Sequence, residues 1–170
     1  MKHSIAALAL VFAVTSIAHA QYEAPKGISV RGGIFLPSNG DAQSAGKTWF
    51  GLGVDYQINN KGTKVVAGQA FNTSYSISLD WIGRGSYTNI PVLFNVTGRQ
   101  SQMYYSAGAG LAIQRTPAVP TGTDSNTRFA FQLSVGMDLN KSENAYFVEA
   151  RYFGGTAKLA GFGVFGGIRF

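Results

Sequence analysis

The sequence contains no cysteine. That excludes a disulfide framework and a lipid-modified amino-terminal cysteine. Histidine is nearly absent: the only two, His3 and His19, lie within the first twenty residues. Charged residues make up 13% of the chain, about half the share usual for globular proteins. After Gln21 no apolar run approaches the roughly 18 residues of a membrane-spanning helix. The net charge of +6 is spread along the chain and forms no basic block, so no nucleic-acid partner is expected.

Glycine and aromatic residues are plentiful, at 22 residues and 13% respectively. A chain of 170 residues suits one domain. Its first twenty, MKHSIAALALVFAVTSIAHA, have a basic start, an apolar run from Ile5 to Ile17 and the small-x-small end Ala18-His19-Ala20. This is the form of a secretory signal peptide, with cleavage expected before Gln21. The predicted organisation is therefore a leader over 1–20 and one domain over 21–170. That mature domain contains no histidine.

Strict alternation then recurs along the chain, predicting strands with two unlike faces. Ile28, Val30, Ile34 and Leu36 oppose Ser29, Arg31, Gly33 and Phe35. Phe50, Leu52, Val54, Tyr56 and Ile58 oppose Trp49, Gly51, Gly53, Asp55 and Gln57. SYSISLDWI, YTNIPVLFNV, MYYSAGAGLAIQ, RFAFQLSVGMDL, AYFVEARYF and the closing GFGVFGGIRF repeat the pattern. Eight strands result, each of roughly the 9–11 residues that cross a bilayer at a tilt. Polar connectors are expected at 37–46, 83–86, 115–127 and 154–160 on one end, and at 59–62, 97–102 and 140–144 on the other. Residues 63–72 are open to three readings: a longer third strand, a flap, or a long turn.

Such a barrel can point its apolar face inward, as a soluble binding barrel does, or outward at lipid. The period does not choose, but the polar face does. A water-facing surface is rich in Lys and Glu, whereas this one is Gly, Ser, Ala, Asn and Gln with isolated charges. Small residues suit the narrow lumen of eight strands. Arg31, Arg151 and Arg169 share that face with Asp55, Asp80, Asp138 and Glu149. Buried charges need partners, so these seven are expected to form an ion-pair network inside the barrel. Trp49, Tyr56, Tyr75, Trp81, Tyr87, Tyr104, Tyr105, Tyr146 and Tyr152 fall near strand ends, where aromatic side chains suit a membrane–water boundary. The fold class predicted is an all-β, eight-stranded antiparallel up-and-down transmembrane β-barrel.

The leader, the eight strands, the segments IPVLFNV (90–96), YYSAGAGLAIQ (104–114) and YFVEARYF (146–153) and the terminal Phe170 together resemble the outer-membrane protein β-barrel domain family. Its relatives include the OmpA transmembrane domain, OmpX and the opacity-type proteins. The resemblance covers essentially the whole mature chain and implies a place in the bacterial outer membrane, with outer-membrane lipids as partners. It also implies that Phe162, Val164, Ile168 and Phe170 form the closing-strand signal read by the barrel-assembly machinery.

Enzymatic roles find little support. Family members that process lipids resemble one another in using a histidine beside a serine, because a serine hydroxyl needs a base. The mature chain has no histidine. Asp55, Asp80, Asp138 and Glu149 are scattered singly and suit ion pairs better than acid–base catalysis. No Cys or His ligands, calcium-loop run or phosphate-loop motif occurs, so no metal and no cofactor are expected. The expected role is a non-enzymatic integral barrel acting structurally or at the surface through its loops, its lumen plugged. The alternative is a narrow, porin-like solute channel. With both ends of the domain on the periplasmic side, connectors 37–46, 83–86, 115–127 and 154–160 would be extracellular.

Overall fold

The structure is a computed structural model, which describes residues 27–66, 69–117, 122–140, 144–155 and 159–170. The predicted leader lies outside these residues. Eight strands occur in chain order: β1 (Ile28–Pro37), β2 (Trp49–Val66), β3 (Gln69–Arg84), β4 (Tyr87–Gln100), β5 (Met103–Pro117), β6 (Thr123–Asp138), β7 (Ala145–Gly154) and β8 (Gly161–Arg169). A short helix, α1 (Gly40–Ser44), lies between β1 and β2. Each strand pairs antiparallel with its sequence neighbour, and β8 pairs with β1 to close the barrel. The expected all-β, eight-stranded up-and-down barrel is what the chain forms.

The strands are strongly staggered. From Gly154 the pairing runs through Phe131, Ala109, Phe94, Ile77, Tyr56 and Ile28. Ile28 then accepts a hydrogen bond from the Phe170 amide at 2.8 Å. Phe170 follows Arg169, which pairs with Ala145 at the beginning of β7. One circuit thus slips by the whole length of β7. Closed barrels need such a stagger, and it tilts every strand against the barrel axis.

The side-chain alternation is the predicted one, with the apolar row outward. Phe50 is 73% exposed, Leu52 61% and Phe162 60%, while Arg31, Asp80 and Phe35 on the other row are buried. Trp49 and Tyr104 depart from the expected aromatic boundary, for both are buried inside. The Trp49 indole donates to the Gly46 carbonyl at 2.8 Å and packs against Phe35 and Tyr87.

Several strands outrun their predicted limits. Residues 59–62 are not a turn, because β2 continues to Val66 and pairs with β3 as far as Gln69. Two register shifts, between Gln57 and Asn59 and between Asn60 and Thr63, absorb the extra residues as bulges on β2. Residues 63–66 and 69–72 therefore lengthen the β2–β3 hairpin. Beyond Tyr56 and Asn72 this hairpin outruns its pairing with β1 and β4 and continues as a two-stranded ribbon. The connector expected at 115–127 shrinks likewise, since β5 reaches Pro117 and β6 begins at Thr123. At 97–102 only Ser101 and Gln102 form the turn, Ser101 taking a left-handed φ of 55°. Paired backbone satisfies itself whatever the side chains are, so polar sequence continues as strand.

The interior is layered. At the end holding α1, Phe35, Trp49, Ile82, Leu93, Phe153 and Phe165 form an apolar plug, with Ala42 of α1 and Leu159 packed into it. Asn39 caps α1 by accepting from the Asp41 amide at 2.8 Å. Nearer the end holding Gly27 and Phe170, the lumen is charged.

The charged lumen as candidate functional site

Strand alternation aims the charged side chains inward, and register decides which of them meet. Asp55 of β2 pairs across to Ser29 of β1, and Asp80 of β3 stands opposite Gly53. Arg31 reaches between them from β1. Its Nε donates to Asp80 Oδ1 at 2.9 Å, its Nη2 lies 2.5 Å from the same oxygen, and its Nη1 pairs with Asp55. From β7, Arg151 donates through Nε to Glu149 Oε1 at 2.8 Å. Its Nη1 lies 3.5 Å from Asp80 Oδ2 and its Nη2 3.6 Å from Asp55 Oδ2. Arg31 Nε is also 3.7 Å from Glu149 Oε1. Two guanidiniums and three carboxylates thus share one layer across the middle of the barrel.

A second layer lies nearer Gly27 and Phe170. Asp138 is buried, and each of its carboxylate oxygens pairs with a different arginine, Oδ2 with Arg99 and Oδ1 with Arg169. The Arg169 guanidinium sits 4.2 Å above the Phe147 ring and 4.4 Å above that of Tyr104. Arg99 approaches the Tyr104 ring at 4.9 Å. Such cation–aromatic contacts strengthen when water is excluded. The Tyr104 hydroxyl donates to Glu149 Oε2 at 3.1 Å, tying the two layers together. Opposite the charges stands a wall of amides and hydroxyls: Asn95 donates to Ser78 Oγ at 3.0 Å, and Gln132 donates to Asn95 Oδ1 at 2.7 Å.

All seven lumen residues singled out in the sequence therefore lie inside and in ion pairs: Arg31, Asp55, Asp80, Glu149 and Arg151 in one layer, Asp138 and Arg169 in the other. Arg99 and Tyr104 are further members. Arg99 falls in the stretch expected to be a turn, yet it continues the parity of Asn89, Leu93 and Asn95 on β4, and that parity was its available signal. Phe162, Val164 and Phe170 are exposed, with Ile168 half-buried, on the outer row of the closing strand and the residue after it.

A polar cavity of about 50 Å³ opens at the terminal end, lined among others by Ser29, Asp55, Ser74, Ser106, Arg151 and Arg169. It is large enough for a few water molecules. Beyond it the Arg31–Asp80 pair and the apolar plug fill the lumen.

No family model, curated protein or solved structure matches the chain. Asp55, Asp80, Asp138 and Glu149 are all engaged by arginine. Among the described residues no group of three or more carboxylate or histidine side chains is placed to hold a metal ion. Two cations facing three anions, and two facing one, give an arrangement suited to bracing opposite walls of the barrel.

Proposed function

We propose that the protein is a non-enzymatic integral barrel of the bacterial outer membrane, related to the OmpA-like small barrels, which acts structurally or at the surface through its loop end. The observation that carries this reading is the inside-out distribution of side chains. Ile28, Phe50, Leu52, Leu79, Phe94, Leu111, Phe129 and Val164 are exposed on the outer wall, whereas Arg31, Asp80 and Asp138 are buried within. A monomer in water rarely exposes a continuous apolar surface beyond a few hundred Å². In lipid the same girdle is at home, and closure leaves no unpaired edge around the hydrocarbon-facing wall. Among the described residues no helix is long and apolar enough to cross a membrane, so crossing falls to the strands.

On this reading residues 1–20 are the export signal, outer-membrane lipids are the constant partner, and Phe162, Val164, Ile168 and Phe170 present the closing strand to the barrel-assembly machinery. The engagement of every lumen carboxylate by arginine supports a bracing role for them in place of catalysis. The polar cavity favours a second reading, a narrow solute channel. Asp55, Glu149 and Arg151 line it, and the buried Arg31–Asp80 pair and the aromatic plug occupy the interior beyond, which weighs for the plugged barrel.

The test is to express the full chain in an outer-membrane-bearing bacterium and follow it through fractionation. The expected protein sediments with outer membranes and migrates faster on gels unheated than boiled. A periplasmic protein of unchanged mobility would sink the reading. Planar-bilayer recording separates the two alternatives, since a stable unitary conductance would favour the channel.

A further inference from the structure

At the loop end β6 outruns its neighbour. β7 first meets β6 at the pair Phe131–Gly154, yet β6 begins at Thr123 and pairs on its other side with β5 up to Pro117. Among the described residues no strand pairs with the β7-facing edge of β6 from Thr123 to Ala130. Gly155 lies beside the Phe129 backbone, so among the described residues the stretch left open is Thr123–Arg128. Residues 123–129 are exposed throughout. An open edge of this kind is a template for another strand, and proteins ordinarily blunt it with charge.

The charges here do more than blunt it. Asp124 and Arg128 lie two residues to either side of Asn126, on one face of the strand, and the Asn126 amide steadies the Asp124 carboxylate at 2.8 Å. Antiparallel pairing of this edge with itself about Asn126 sets Asp124 of each copy opposite Arg128 of the other. It also sets Ser125 opposite Thr127. Opposite charges directly across a ladder stabilise it, and like charges destabilise it. Parallel self-pairing would place Asp124 against Asp124 and Arg128 against Arg128. The pattern therefore repels a strand of unlike charge order while accepting an antiparallel second copy.

We propose that the Thr123–Arg128 edge of β6 is a self-association site, which pairs antiparallel with the same edge of a second copy to continue the sheet across a two-fold axis. The two barrels then point away from each other, loop end to loop end. In membranes oriented as proposed above, the pair joins two facing surfaces, where many weak contacts act together. That consequence rests on the membrane reading. The pairing itself does not.

The absence of cysteine makes the test clean. Ser125→Cys and Thr127→Cys variants carrying tags of different size are purified folded in detergent, checked by circular dichroism, and oxidised alone and mixed. Antiparallel pairing predicts that the mixture forms a Ser125→Cys/Thr127→Cys cross-link at least about fivefold in excess of either self-product. Adding Asp124→Arg to both chains lowers that yield about fivefold, and adding Arg128→Asp as well restores it. Self-products equal to the mixed one, no cross-link in any mixture, or a yield indifferent to the charge changes would each overturn the proposal. Detergent removes the membrane from the experiment, so failure here and failure of the outer-membrane reading are separate results.

Discussion

The Asp80 carboxylate occupies the space above Gly53, its direct neighbour across the β2–β3 ladder. A Cβ at position 53 would overlap Asp80 Oδ1 and lie within 2.8 Å of the Arg31 guanidinium nitrogens. The buried ion pair thus requires a residue with no side chain beside it. Gly53→Ala is expected to push Asp80 off Arg31 and to cost about 3 kcal/mol, the lower range for breaking a buried pair. The urea midpoint of the detergent-folded protein measures this. A variant of unchanged midpoint would show that the pair has room to spare.

Arg31 is the hub of the middle layer. Arg31→Met leaves Asp55, Asp80 and Glu149 facing Arg151 alone and is expected to lose about 3–5 kcal/mol. Combining it with Asp80→Leu removes an uncompensated carboxylate, so the double variant is expected to be more stable than Arg31→Met alone. Urea titration of the two single variants and the double one gives the coupling directly. Additive losses would contradict the arrangement described.

Leu79 stands on the outer wall, 52% exposed, between Val54 and Val92. A hydrocarbon-facing position makes Leu79→Arg cost about 2–4 kcal/mol in lipid vesicles. A water-facing position would make it nearly neutral, within about 0.5 kcal/mol. Reversible unfolding from vesicles distinguishes the two, and neutrality would count against the membrane reading.

Phe165 packs over Gly51 and Gly163 and meets Phe153 edge-on within the plug. Phe165→Ala is expected to cost about 3–5 kcal/mol through the cavity it leaves. It is not expected to open a pore, because the Arg31–Asp80 layer still blocks the lumen below it. Unfolding and bilayer recording on one preparation check both halves.

Arg169 ties the closing strand to β6 through Asp138. Arg169→Met is expected to speed amide exchange at the terminal end of the β1–β8 seam, around Val30 and Ile168, while exchange in the β4–β5 ladder stays unchanged. Mass-resolved hydrogen exchange reads the difference. Equal acceleration in both ladders would mean global destabilisation in place of a local latch.

The barrel was legible because each strand has two unlike faces, and a period of two survives even a glycine-rich sequence. The inward aim of Arg31, Asp80 and Arg151 followed from that parity. Trp49 shares the parity of Gly51 and Gly53, which outweighs its place near a strand end. The ribbons were not legible. Asn59–Gly62 and the stretch from Thr123 to Thr127 stand beyond the wall, where a strand has no apolar row to betray it. Arg99 was hidden for a similar reason, lying just past Thr97 and Gly98 in polar sequence. Which arginine meets which carboxylate depends on a stagger that accumulates around the full circuit, and no local stretch encodes it.

The two lumen layers have an electrical consequence. Arg31 and Arg151 against Asp55, Asp80 and Glu149 leave one unit of negative charge in the middle. Arg99 and Arg169 against Asp138 leave one unit of positive charge nearer the chain ends. The interior as a whole is neutral, yet it is a dipole aligned with the barrel axis. The cavity at the open end is lined by both groups, Arg99 and Arg169 beside Asp55, Glu149 and Arg151, so an entering ion meets charges of both signs at once.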